Sequence, residues 1–473
     1  MRGARAFDRS WVRVCALAVL AMAVYVPLFG RTAFTPRVFN LDFVAFYCAG
    51  ETANGGADPY LTEPLRSCEH RVGASFRRGS VLVLPAPLPA YDIALFRAIA
   101  LAPFAAASLL WLAAGVAATV GCMLLLARLT GCGGPFALAA LLVSLGWTSL
   151  FLGQLVPICL CGILLALAGE RAQRPWLVVA GTLGAAIEPH LGAVALLALA
   201  VAGSARTRFA VVAGAGILLI VSFAALPLER SIEYAARVLP AHAASEIDNR
   251  EQFGLAHQLH LLGLGVEGAT RLAEFVYLAV LVASLLATRR LAARWGATFA
   301  VLAVAATCLV VEPFLHITQI PVAAAAAAAG YGATRSRAFA WAALCLAIPW
   351  IDFAPIVVVG PLCAGIAVFF ARRAGARLIT GAVLGVATIV CAYAAGLAVS
   401  AAPRHLITAT AARPGDLAEV SWREAVELAD VGLPWLFVTA ELPTYAGLAL
   451  TIAGVWTARP AGAARPAATP SAA

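Results

Sequence analysis

The stretch Pro175–Arg208, PWLVVAGTLGAAIEPHLGAVALLALAVAGSARTR, admits two readings. Read as one long helix, it carries Arg206 and Arg208 across a membrane, away from Arg171 and Arg174. Read as two apolar runs, 175–187 and 189–201, it turns at Glu188, Pro189 and His190 and brings both Arg pairs to one side. Basic residues collect in the cytoplasmic loops of membrane proteins, so the hairpin is the expected reading if other Arg clusters agree.

They do agree. All 33 basic residues are Arg, and many sit between apolar runs: Arg289, Arg290 and Arg294, Arg335 and Arg337, Arg372, Arg373 and Arg377. Arg2, Arg5, Arg9 and Arg13 lie before or at the start of the first apolar segment, Trp11–Phe29, which reads as an anchor with a cytoplasmic N-terminus. The net charge of +9 therefore belongs to membrane loops, and no nucleic acid is expected as a partner. Of 473 residues 62% are hydrophobic and only 12% charged, with mean hydropathy +0.91, a balance that excludes a soluble globule. Runs of this kind close their backbone bonds as helices. The expected fold is an all-α polytopic integral membrane protein of roughly 11–14 membrane segments, several short or paired as hairpins.

Threading continues with a helix system over 94–126 broken at Pro103, then the pairs 135–152 with 154–169 and 175–187 with 189–201. Segments 207–226 and 271–288 flank a loop, followed by 296–312 with 317–332, 338–351 with 354–371, then 377–400 and 435–457. Residues 1–458 are expected to form a single transmembrane domain, with external loops 30–90, 227–270 and 401–434, that houses whatever site the chain carries. Residues 459–473 read as a disordered cytoplasmic tail. The polar tips at Gln154, Glu188, 312–319 and Asp352 fall on the side of the long loops.

Nine of the eleven cysteines lie in or beside apolar helices, where a thiol packs as a small hydrophobe. Cys159 and Cys161 are read that way. Cys48 and Cys68 share the first external loop and can form a disulfide if that side is oxidising.

Ionisable residues at helix ends in a bundle are costly, which makes each one a functional candidate. Asp42 lies about a turn beyond the first span and is followed by GGADPY, a turn ending in Tyr60. Glu188 and His190 occupy the hairpin tip, and EPFLHITQIP places Glu312, His316 and Gln319 near the same surface. The loop DNREQFGLAHQLHLLGLG adds Asp248, Asn249, Arg250, Gln252, His257 and His260. His257 and His260 have helical spacing but no carboxylate partner of clear geometry, so no metal site is expected there.

Taken in order, these motifs resemble glycosyltransferase family 87, polytopic enzymes of the C-type glycosyltransferase fold. Asp42, the GGADPY turn, the prolines Pro85, Pro87 and Pro89, LGQ at 152–154, AAIEPHL, N..QFGLAHQL and EPFLHI carry the resemblance. It implies Asp42 as general base and a polyprenyl-phosphate-linked sugar donor, commonly mannose, with no cofactor and no obligatory metal. It also implies a lipid or glycan acceptor at the outer face of the cell membrane, among membrane lipids. Gln154, Tyr60, Glu188, His190, Asn249, Arg250, His316 and Gln319 are the expected substrate-binding residues. Family members often carry Lys where this chain has Glu188, which leaves Arg250 and Arg404 as the external phosphate ligands to expect.

Two other classes compete. A secondary transporter or lipid-linked sugar flippase would place its ionisable residues at the bilayer midplane in repeated halves. A scaffold of envelope assembly would need no base at all. Loss of sugar transfer in Asp42→Asn, with folding retained, separates the enzyme from both.

Overall fold

The computed structural model describes residues 40–72, 83–249, 251–350, 412–429 and 434–457. The expected first span, Asp352, Arg404, the segments 354–371 and 377–400, the tail and Arg250 lie outside them. Among the described residues the chain is all helical, with two isolated bridges, 61 with 417 and 252 with 316. This is the architecture of an all-α polytopic membrane protein.

Three short helices come first: α1 (Leu41–Asn54), α2 (Thr62–Arg71) and α3 (Ala90–Ile99). The turn GGADPY ends α1, and Cys48 and Cys68 are joined as a disulfide, tying α1 to α2. After Pro103 the long α4 (Phe104–Thr130) begins, so the expected break falls there. Next come α5 (Gly134–Val143), extended by wider turns to Leu150, and α6 (Val156–Arg171). The deciding stretch forms two helices, α7 (Pro175–Ala185) and α8 (Pro189–Ala202). The helix α9 (Ala205–Ala225) follows, capped by Ser204.

The loop after α9 is largely helical: α10 (Leu228–Glu233), a wide turn over 234–238, α11 (Leu239–Ser245) and α12 (Leu255–Leu261). Then run α13 (Val266–Trp295), α14 (Ala297–Val310), α15 (Ile320–Thr334) and α16 (Arg337–Leu346), and later α17 (Ala418–Ala429) and α18 (Pro434–Thr457). The expected loop 401–434 thus contains a helix, α17. It packs onto the segment around α1–α3 through Ala418 N–H to Tyr60 O at 3.0 Å and Val83 N–H to Ser421 Oγ at 3.1 Å.

By length and composition α4, α9 and α13 are each apolar enough to cross a membrane. Their outward side chains, such as Phe209, Phe223, Leu278 and Leu286, are exposed, as lipid-facing residues must be. At the centre stands α15, whose alanines 323–329 are all buried. Alanine is the best helix former, and a helix apolar all round is at home in the middle of a bundle. Helices α6 and α7 touch backbone to backbone: a Cβ on Gly162 would lie 2.3 Å from Ala185 N, and one on Gly181 2.4 Å from Ala166 N. Small residues permit that approach where no water is available to drive helices together.

The bundle has two unlike ends. At one, Arg171 donates to Leu129 O at 3.0 Å, Arg335 to Gly131 O at 2.9 Å and Arg289 to Val201 O at 3.4 Å. At the other lie the turns carrying Gln154, Glu188, Glu312 and His316. The hairpin reading of 175–201 gives this segregation directly.

Candidate active site

The first half of the site is a junction between α1 and the α5–α6 turn. Asn40, at φ 62°, turns the chain into α1 while its N–H bonds Phe151 O at 2.7 Å. The Asp42 N–H bonds Leu152 O at 2.9 Å, so the start of α1 is clamped to the LGQ tip. Gly153 at that tip has φ +79°, and a Cβ there would sit 2.3 Å from Asn40 Oδ1. Only glycine fits both the conformation and the space. Trp111 Nε1 donates to Gly153 O at 2.8 Å and fixes the turn from below. The outcome is that Gln154 Nε2 donates to Asp42 Oδ2 at 2.7 Å.

The second half is built by the α14–α15 turn pairing with the segment before α12. Phe253 N–H bonds Leu315 O at 2.6 Å, Ile317 N–H bonds Glu251 O at 3.1 Å and Leu255 N–H bonds Glu312 O at 2.9 Å. This ladder places His316 against Asn249, with Nε2 3.5 Å from Asn249 Nδ2 and 3.8 Å from Glu251 Oε2. The His316 ring and the Gln319 side chain together cap the short turn over 317–319, and His316 Nδ1 is buried there. Gln319 accepts from the His316 backbone N–H at 3.0 Å and donates to His190 Nε2 at 2.7 Å. With Nε2 accepting, the His190 proton is on Nδ1, which faces Glu188 Oε2 at 3.6 Å. Glu312 Oε1 lies 4.0 Å from His190 on the other side.

These two halves feel each other. The Asp42 carboxyl is raised to about 7 in all: desolvation pushes it up, the Gln154 bond and His316 pull it down, and Glu251 and Glu246 add to the rise. Glu188, in the turn between α7 and α8, is pushed up to about 8 by burial and then by Asp42. A carboxylate poised near neutrality, with a histidine acting on it electrostatically, suits proton abstraction from a hydroxyl.

The structure thus gathers Asp42, Gln154, Glu188, His190, Asn249, His316 and Gln319 at one end of the bundle. Tyr60 is used differently. Its hydroxyl donates to Leu88 O at 2.8 Å and its ring stacks on Tyr234 at 6.0 Å, bracing the short helices of this end. Arg250 is outside the described residues, as is Arg404. His260 does have a carboxylate partner, contrary to the sequence reading: Asp248 Oδ1 lies 3.2 Å from its Nε2. The ring Nδ1 atoms of His257 and His260 lie 2.6 and 2.7 Å from Ile247 O and Leu264 O, so both rings serve local packing. Among the described residues no group of three or more His, Cys, Asp or Glu is arranged to hold a metal ion.

Sequence reasoning missed Glu246, Glu251 and His242. Glu246 accepts from Asn249 at 2.6 Å and from the Trp422 indole of α17, and His242 lies 5.1 Å ring to ring from Phe314. The one signal was position: Glu246 and Glu251 flank Asn249 in the polar loop.

Residues 89–313 match the model of glycosyltransferase family 87, and this match supports membership of that family and, with it, a membrane glycosyltransferase. The matched region includes Gln154, Glu188, His190 and Asn249 and stops short of His316, while Asp42 precedes it. No curated protein and no solved structure matches the chain.

Proposed function

We propose that this glycosyltransferase moves a sugar, mannose being the first choice, from a polyprenyl-phosphate donor to a hydroxyl of a lipid or glycan acceptor. The observation that carries the reading is the Asp42 carboxylate, held by Gln154 with its pKa near neutrality. The acceptor oxygen attacks the anomeric carbon as the bond from that carbon to the phosphate oxygen breaks. Asp42 takes the hydroxyl proton, polyprenyl phosphate departs, and the configuration inverts. One base suffices for such a displacement, whereas glycoside hydrolysis uses two opposed carboxyl groups.

Negative charge on the leaving phosphate needs donors. His316, which acts on Asp42 electrostatically, is the described residue best suited to give a hydrogen bond there. Arg250 and Arg404 are proposed as the guanidinium ligands that grip the phosphate through paired bonds. The site end faces the outside of the cell membrane in this reading, with the Arg end, and both termini, in the cytoplasm. The Cys48–Cys68 disulfide supports that sidedness, since such bonds persist in oxidising compartments.

The test is incubation of the purified protein with radiolabelled polyprenyl-phosphate mannose and envelope lipids. Label moving to a lipid or glycan product, and not in Asp42→Asn, supports the reading. Label that stays on the donor with every acceptor fraction, while a nucleotide sugar is consumed, overturns it.

A further inference from the structure

The polypeptide between α9 and Glu246 presents three different surfaces. It turns at Pro227 and runs as one nearly continuous helical segment through α10, the wide turn and α11. Positions 228, 232, 235 and 239 fall on one face of such a segment. All four are exposed, the large ones strongly: Leu228 54%, Ile232 59% and Leu239 42%. A second face, Tyr234, Val238 and Ser245, is buried within the protein. The third is charged: Arg230 pairs with Asp58 and Glu233, and Arg237 with Glu233 at 2.9 Å. Protein covers one face and water suits another, which leaves the aliphatic stripe to be accounted for.

Its surroundings say what covers it. The segment follows directly on α9, a membrane-length helix whose exposed Leu219, Ile220 and Phe223 already form a lipid-facing surface. A second exposed pair, Leu261 and Leu262, sits just before α13, another membrane-length helix, at the same end of the bundle. A second copy of the chain is the poorer occupant, because a specific interface uses roughly 20–30 residues a side and the stripe offers a single row.

We propose that the segment from Leu228 to Ser245 lies in the surface of the bilayer, with Leu228, Ile232, Ala235 and Leu239 in the boundary between headgroups and acyl chains. Interfacial helices bury their apolar face about 5–10 Å into that boundary while their polar face stays wet. Lipid then holds one side of the segment and the Asp58 and Tyr60 contacts hold the other. His242 and Glu246 follow on the same run of chain, so the bilayer helps to position that wall of the site.

The experiment places an environment-sensitive fluorescent amino acid at Ile232, Leu239 or Arg237 of the full chain in phosphatidylcholine nanodiscs. All three positions are exposed, so the packed face is untouched. Nitroxide high on the lipid acyl chain should quench the label at Ile232 and Leu239 several-fold more than at Arg237, and iodide in the buffer should do the reverse. Iodide quenching at Ile232 equal to that at Arg237, with no nitroxide effect, overturns the proposal. Energy transfer between copies without lipid quenching overturns it too. A label at Leu228 repeats the measurement independently should one at Ile232 disturb the fold.

Discussion

Gln154 Nε2 donates to Asp42 Oδ2 at 2.7 Å, across 112 residues of sequence, beside the backbone bonds from Asn40 to Phe151 and from Asp42 to Leu152. The Gln154 bond favours the charged carboxylate in a place where desolvation favours the neutral one. That competition sets the poise of the proposed base, and several measurements follow from it.

Replacing the carboxylate should remove the base and little else. Asp42→Asn keeps the shape and an acceptor oxygen for Gln154, so the protein should insert and elute as wild type. Transfer should fall by about 10²–10⁴-fold, the usual contribution of general base catalysis. A loss of less than a few-fold would remove Asp42 from the chemistry.

The pH dependence has a definite sign. The folded protein holds the Asp42 proton up to about 7, against 3.8 for an unperturbed carboxyl, so the folded state binds it more tightly than the unfolded state. The neutral form costs nothing below the unfolded value, and stability is lost as pH rises from there through about 7. Activity runs the other way, because the base must be ionised. kcat/KM should therefore rise with a limb near 7 while thermal stability falls over the same window, and Asp42→Asn should flatten that part of the stability curve.

Gln154 is a positioning residue, tested by a shift rather than a loss. Gln154→Leu removes the hydrogen bond that holds the charged form, so the acidic limb of the pH–rate profile should move upward. kcat on the alkaline plateau should stay within a few-fold. An unmoved limb with a lowered plateau would point to substrate contact instead.

Gly153 should tolerate no side chain. Gly153→Ala must adopt φ +79° and place its Cβ 2.3 Å from Asn40 Oδ1 and 2.8 Å from Phe43 Cβ. Holding a non-glycine residue there costs on the order of 1–3 kcal/mol. Lower thermal stability together with impaired transfer is expected, and wild-type values of both would reject the account of this turn.

The disulfide should be visible in the isolated protein. Alkylation without reductant should spare Cys48 and Cys68, and the double variant Cys48→Ser, Cys68→Ser should melt earlier. Closing a loop of 20 residues stabilises by about 3 kcal/mol in the chain-entropy account. Full alkylation of both thiols in protein taken from intact cells would instead place that loop in a reducing compartment.

The membrane class, the Pro103 break, the hairpin at Glu188–His190 and the gathering of the Arg171, Arg289 and Arg335 clusters away from the polar tips were readable from sequence. Each depends on hydropathy or charge within about 20 residues, and a local property survives whatever the rest of the chain does. The ordered motifs around Asp42, Gln154, Glu188 and His316 were readable for the same reason, as short strings at helix ends.

Side-chain partners were not readable, because they depend on how helices are rotated and ordered in space. Glu246 and Glu251 join the site only because the segment before α12 pairs with Leu315 and Ile317, a ladder that no local pattern announces. Tyr60 was expected at the site, yet its hydroxyl is bonded to Leu88 O, since the approach to α3 folds back over it. His260 acquired Asp248 through a turn whose geometry the spacing did not contain. The sequence alone determined the membrane class and which described helices are apolar and long enough to cross a bilayer, because transfer of apolar surface is additive along the chain. Only the tertiary structure decided that Asp42 meets Gln154, because that contact rests on a glycine turn, two backbone bonds and a tryptophan brought together from three separate helices.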